Sequence, residues 1–166
     1  MRKHLTDKDI KETLRRLTVI CDTREQSNSH ITSYFDKNKI PYVSKGLETG
    51  DYSFMLDDYR YDDEIVIERK NSLTELAANF ADGRTRFENE FLRAAKKGTK
   101  IWLLVENGSW EAIKNHEYRS QFTPKSFIGS LETWEKRHSI NIRFCTTETA
   151  GEHIYRILYY WLKERL

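Results

Sequence analysis

Apolar residues recur in two rhythms, one of period two and one of period three to four, and the switches between them outline the elements. Ile10, Leu14 and Leu17 fall on one side of a short helix that Thr6 is placed to cap. TVICD (18–22) predicts a buried strand, and residues 28–38 predict a helix that ends in the turn region Asn38–Pro41. Residues 42–48 and 51–56 predict two strands of a hairpin around Thr49-Gly50. The acidic DDYRYDD (57–63) reads as a solvated connecting turn, and EIVIER (64–69) alternates again as a strand. From Ser72 to Phe80 the spacing is helical. Gly83 precedes a second helix with Phe87, Phe91, Ala94 and Ala95 on one side, closed by Gly98. KIWLLVE (100–106) is almost continuously apolar, as in a strand covered on both faces. A helix follows Gly108–Ser109, and another starts near Pro124 with Phe127, Leu131, Trp134 and His138 in one stripe. NIRFC (141–145) predicts a last strand, and the final helix carries Ile154, Ile157, Leu158, Trp161 and Leu162.

Clustered strands followed by alternating helices and strands give an α/β fold: an α/β/α sandwich around a central mixed β-sheet. Its central strands are expected at 18–22, 51–56, 64–69 and 100–106, with ligands where strand ends meet loops. The 166 residues suit a single domain, 1–166, in which 1–17 form an N-terminal helical extension. With 28 basic and 26 acidic side chains the net charge is only +2, so any nucleic-acid footprint has to be a local patch. Arg84, Arg86, Arg93, Lys96, Lys97 and Lys100 make one such segment, and phosphate contact and a solvated helix face account for it equally well.

No apolar run is long enough to span a membrane, and the N-terminus lacks the apolar stretch of a secretory signal. Cys21 and Cys145 lie in apolar strand-like runs without metal spacing, as buried free thiols of a cytoplasmic protein do. His4, His30, His116, His138 and His153 show no ligand spacing, and His138 belongs to an apolar helix stripe. No Gly-rich phosphate cradle is present, so no nucleotide cofactor is expected. Trp134, Tyr155, Tyr159, Tyr160 and Trp161 can be read as core, but they are more aromatics than one modest face needs, which leaves a homodimer surface as the alternative.

The charges that end the strand EIVIERK carry the chemistry. Alternation sends Ile65, Ile67 and Arg69 to one face and Glu64, Val66, Glu68 and Lys70 to the other. If the preceding strand pairs as a hairpin, Asp51 at its start lies beside Glu68 and Lys70, and Asp22 joins them from the end of the first strand. Carboxylates gathered at one point repel unless a cation compensates, and their hard oxygens suit Mg²⁺ or Mn²⁺. This D…ExK pattern is the signature of metal-dependent phosphodiester hydrolysis on restriction-endonuclease-like sheets, with one ion or two left open. Taken alone, ExK is also what a solvated strand end with an ion pair looks like.

VICDTREQ (19–26), LETGDYSF (47–54), VIERKNSLTEL (66–76) and FADGRTRFENEFLRA (80–94) occur in this order. Together they resemble the nuclease domain of XPF-type structure-specific endonucleases over roughly residues 18–145. The resemblance implies an α/β/α nuclease fold, a divalent metal, and cleavage of branched or flap DNA. It casts Asp22, Asp51 and Glu68 as metal carboxylates and Lys70 as the catalytic lysine. Arg24 and Glu25 shape the same site, Arg69 supports it, and Arg84 is placed to reach a phosphate. Thr74 stands where the family has an acid, with Glu75 one residue later. The tandem helix-hairpin-helix module and helicase-like region of many members are absent from these 166 residues, so branch reading and dimer formation do not carry over directly. Compact nucleases of this kind resemble those of bacterial viruses and prophages. Junction-resolving and restriction-type nucleases share the same core. A catalytically inactive module that binds DNA or protein is the rival of another class, and the retention of all four positions argues against it.

Overall fold

The structure is a computed structural model in which residues 5–166 are described; His4 and the first residues of the expected extension lie outside them. Six strands form the path β2–β1–β3–β5–β6–β7, and β4 pairs with β3 off that path. They are β1 (Leu17–Cys21), β2 (Tyr42–Ser44), β3 (Tyr52–Leu56), β4 (Tyr59–Arg60), β5 (Ile65–Lys70), β6 (Lys100–Glu106) and β7 (Asn141–Cys145). The sheet is mixed: β3 runs antiparallel to β1, β4 and β5, while β1–β2, β5–β6 and β6–β7 are parallel.

Helices cover both faces. On one side α1 (Asp7–Arg15), α2 (Ser29–Lys37) and α7 (Ala150–Lys163) bury Leu14, Ile31, Phe35, Ile154 and Leu158 against Val19, Phe54, Ile65 and Ile67. On the other, α3 (Leu73–Ala81), α4 (Arg84–Lys97), α5 (Trp110–Lys114) and α6 (Pro124–His138) pack Leu76, Phe87, Phe91, Leu131 and Trp134 on Val66, Leu103 and Val105. Strand alternation therefore decides the face. Ile65, Ile67 and Arg69 look toward α2 and α7, and Val66, Glu68 and Lys70 toward α3 and α4.

The helices begin and end where the local chemistry requires. Thr6 and Asp9 form a reciprocal capping box on α1. Ser72, Ser109 and Thr123 each accept a backbone N–H at the start of a helix, and Pro124 opens α6. Gly98 closes α4 in the left-handed region, with φ 76°.

Four expectations are corrected. Residues 42–44 do not pair with β3. They add a parallel edge strand to β1 through the α2 crossover, because segment 45–51 passes around the end of β1 instead of turning back on itself. DDYRYDD contains β4 and makes its own hairpin with β3. Leu17 starts β1 rather than extending α1, and Ala95 is exposed. Of the aromatics left open between core and dimer surface, Trp134 belongs to the core, fully buried between Phe80, Phe87 and Phe91. His138 is packed against Trp134 and Phe91, and its Nε2 lies within hydrogen-bond distance of Glu88, 3.1 Å away. Cys21 and Cys145 are buried free thiols.

Candidate active site

Three strand ends meet at one edge of the sheet. Asp22 follows β1, Asp51 precedes β3, and Glu68 and Lys70 end β5. The chain leaving β2 hooks around Asp22. Lys45 N–H donates to the carbonyl of Cys21 at 3.0 Å, Leu47 N–H donates to Asp22 Oδ1 at 2.7 Å, and Asp22 N–H donates to the carbonyl of Asp51 at 2.8 Å. The other Asp22 oxygen accepts from Arg24, from Nε at 2.8 Å and from N–H at 3.3 Å. Both oxygens of the expected metal ligand thus accept protein hydrogen bonds, and Asp22 pins the turn that delivers Asp51. Arg24 also donates to the Leu47 carbonyl at 2.8 Å.

Gly50 makes the approach of Asp51 to β5 feasible. Its φ is +78°, and a Cβ there would sit 2.8 Å from Val66 Cβ and 3.2 Å from the carbonyl of Ile67. Asp51 N–H donates to that carbonyl at 2.8 Å, and Asp51 Oδ2 accepts Arg69 N–H at 2.8 Å. Asp51 is thereby locked beside Glu68. Lys70 Nζ donates to Glu68 Oε1 at 2.9 Å, lies 4.0 Å from Glu75 Oε1, and rests over the Phe87 ring.

The electrostatics follow from crowding. Burial, then the charges of Glu68 and Glu25, push Asp51 well above the usual carboxylate range, against the Arg69 N–H and Lys70. Burial also raises Glu68, with Lys70 opposing and Glu90 and Glu25 adding. Burial pulls Lys70 down, but the charge and hydrogen bond of Glu68 outweigh it, so the ammonium is held above its ordinary value. Two oxygen-donor groups that resist ionisation side by side are a set that a hard cation would relieve. Among the described residues no three His, Cys, Asp or Glu side chains close on a common metal position. A Mg²⁺ ion needs only one or two carboxylates and keeps several waters, so Asp51 and Glu68 fit that demand.

Arg69 points away, as alternation predicts. Its Nε donates to Glu106 Oε1 at 2.7 Å, and its other nitrogens reach Glu25 Oε1 and the Ser27 carbonyl, both at 3.3 Å. His30 Nε2 meets the same Glu106 oxygen at 2.8 Å. Glu25 Oε2 is buried without a partner. This ion-pair layer behind the sheet holds the strand whose backbone N–H fixes Asp51.

Arg84 is not in the site. It donates to Ser130 of α6 at 3.1 Å and stacks on Phe80. The α4 residues that face the site are Arg86, Glu90 and Arg93. A cavity of about 230 Å³ is lined by Asp22, Arg24, Asp51, Glu68, Glu90 and Arg93. A second, of about 350 Å³, is lined by Glu68, Lys70, Asn79, Arg86, Phe87 and Glu90. Glu68 and Glu90 form the wall between them. Sequence reasoning missed Glu90; the available signal was its place three residues after the buried Phe87 and three before Arg93 on one helix side. Glu75 acts at the start of α3, where its Oε2 accepts Asn71 N–H at 2.8 Å, and Thr74 accepts Arg119 N–H at 3.0 Å.

The ERCC4 domain family model matches residues 21–157, which takes in every strand end described above. The chain belongs to the ERCC4 domain family. Its fold is restriction-endonuclease-like and is shared with XPF from Aeropyrum pernix, at 20% identity and a TM-score of 0.67, over 87% of this chain and 65% of that one. XPF from Aeropyrum pernix in complex with DNA gives 22% identity and a TM-score of 0.68, over 91% and 68%. This ERCC4 chain thus spans about two thirds of those proteins. No curated protein matches it in sequence.

Proposed function

We propose that the chain is a Mg²⁺- or Mn²⁺-dependent endodeoxyribonuclease that hydrolyses phosphodiester bonds in branched or flap DNA, working in the cytoplasm as one domain with α1 as its extension. The observation that carries this reading is Asp51 held against the β5 end that presents Glu68 and Lys70, within an ERCC4 domain. The likeness to an XPF solved with DNA supports the substrate class.

Asp51 and Glu68 are the residues to hold the cation, with Asp22 completing the anionic wall while it keeps Leu47 and Arg24 in place. A bound divalent ion supplies Lewis-acid polarisation of the phosphate and lowers the pKa of an attacking water. Lys70, kept charged by Glu68, orients that water by hydrogen bonding and stabilises negative charge as it grows on the phosphate oxygens. Arg24 and Arg93 border the same cavity and offset charge on the DNA strand. Hydrolysis adds water across one P–O bond, leaving a phosphomonoester and a hydroxyl end. A homodimer through the outer side of α7, where Tyr160 is 52% exposed, belongs to the same reading. Sedimentation that finds only monomer at high concentration contradicts that part.

The test is a panel of labelled duplex, flap, fork and four-way-junction DNA incubated with Mg²⁺, Mn²⁺ or chelator. The expected result is metal-dependent cutting of a branched or flap form. Metal-independent cutting overturns the chemistry, and binding without cutting by any metal favours a DNA-binding module.

A further inference from the structure

The connection from α5 to α6, residues 115–123, is longer than most links between neighbouring helices, and it is held as one piece. His116 Nε2 lies 2.6 Å from the Ser120 carbonyl oxygen, Phe122 N–H donates to Ser120 Oγ at 3.0 Å, and the Tyr118 hydroxyl donates to the Phe122 carbonyl. Tyr118 and Phe122 pack on Phe127 of α6, and Phe122 also stacks on Phe80 of α3. Within this loop Arg119 N–H donates to Thr74 Oγ1 at 3.0 Å. Arg119 is thereby fixed at the first turn of α3, where the next residue, Glu75, places Oε1 4.0 Å from Lys70 Nζ. The Arg119 side chain is exposed, and among the described residues no acid pairs with it, the nearby Glu117 included. A carboxylate at position 74 would stand against that cation; threonine docks the loop and leaves the charge free. The strand order β1–β3–β5–β6 puts Arg24, just past β1, on one side of Glu68 and Lys70. The α5–α6 connection, which follows β6, lies on the other. With strands about 4.8 Å apart, β1 and β6 are separated by roughly 14 Å along that edge, the length of a few nucleotides.

We propose that Arg119, presented by the α5–α6 loop that Thr74 docks on α3, binds a backbone phosphate of the cleaved DNA strand on the β6 side of the reacting bond. The assignment rests on the nuclease reading above. Arg24 and Arg93 meet the strand on the β1 side, so the reacting phosphate lies between two cationic holds. A guanidinium donates to any phosphate whatever the base, so Arg119 fixes position along the strand and not sequence. The rigid loop supplies the placement, as loops on a firm scaffold do for binding residues. Thr74 does not touch DNA; it acts through Arg119 as a positioning residue.

The experiment is single-turnover cleavage in Mg²⁺ of the DNA form that wild type cuts best, at rising protein concentration, which separates half-saturation from maximal rate. Wild type is compared with Arg119→Ala, Arg119→Lys, Thr74→Val, the Thr74→Val/Arg119→Ala double variant and a control, Lys114→Ala on α5. Arg119→Ala is expected to raise the half-saturating concentration about tenfold, as loss of a charged hydrogen-bonded contact does, with the maximal rate unchanged. It also lowers the slope of log K against log salt by about 0.9, whereas Arg119→Lys keeps the slope. Thr74→Val, which removes the acceptor but keeps the shape, weakens binding less, and the double variant is no worse than Arg119→Ala. One neutral methylphosphonate is then walked along the cleaved strand. At one position, to one side of the cut, it weakens wild type and Lys114→Ala alike but costs Arg119→Ala nothing further. Arg119→Ala with wild-type half-saturation and slope, or with additive losses at every methylphosphonate position, overturns the contact and leaves the nuclease reading intact. Wild type that cuts none of the DNA forms overturns both.

Discussion

Lys70 sits between Glu68 and Glu75, while Asp51, one strand away, accepts a hydrogen bond from the Arg69 N–H and is buried near the charges of Glu68 and Glu25, with Lys70 only partly offsetting them. The fold therefore works against ionisation of Asp51. Its raised pKa means that ionisation is harder in the folded state than in the unfolded chain, so the charge destabilises the metal-free protein. Asp51→Asn is expected to raise the Tm in chelator by about 2–4 °C, which corresponds to roughly 1 kcal/mol. Thermal melts of the two proteins check this, and Mn²⁺ should stabilise wild type more than the variant. Strand alternation alone made the placement of Glu68, Lys70 and Arg69 readable in the sequence. The engagement of Asp22 was not readable, because its partners, Leu47 N–H and Arg24, meet it only once segment 45–51 wraps β1. Arg84 and Arg86 are two residues apart on a helix. Only packing against α6 decides which of them faces the site.

At the level of elements, the register between β3 and β5 makes the site. Tyr52 pairs with Ile67, and Gly50 lets the chain enter β3 tightly over Val66. Gly50→Ala places a methyl 2.8 Å from Val66 Cβ at a positive φ that alanine adopts poorly. A loss of about 2–3 kcal/mol in denaturant unfolding is expected, together with weakened cleavage even where the variant still folds, since Asp51 is displaced. The apolar stripes of α4, α6 and α7 and the continuous run of β6 were legible because each buries one consistent face. The false hairpin at 42–56 shows where that logic fails. Alternation identifies a strand, but pairing depends on which edge is free, and here the free edge belonged to β1.

Across the whole molecule, two apolar layers clamp a sheet whose centre is dry and whose strand ends carry charge. Cys21 and Cys145 mark that dryness. Burial pushes both thiols up to about 12, with Glu25 adding at Cys21 and Glu106 at Cys145. At pH 8 the native protein is expected to leave a thiol-disulfide reagent unreacted, while the denatured chain titrates both thiols. Because the folded values lie above the unfolded ones, the folded state holds more protons between the ordinary thiol value and about 12. Stability should then decline as pH rises through that window, which urea midpoints measured at successive pH values would reveal. The layered architecture was legible from element order, whereas the grouping of residues at one edge depends on contacts between strands distant in sequence. That edge acts as a hydrolytic site only if the carboxylate that Glu68 presents beside Asp51 takes part in the reaction. The decisive comparison is single-turnover cleavage of the preferred branched DNA in Mg²⁺, by wild type and by Glu68→Gln shown by melting to be folded. The expected rate for the variant is lower on the order of 10²–10³-fold or more, and a Glu68→Gln protein that cuts as fast as wild type would remove Glu68 from the chemistry.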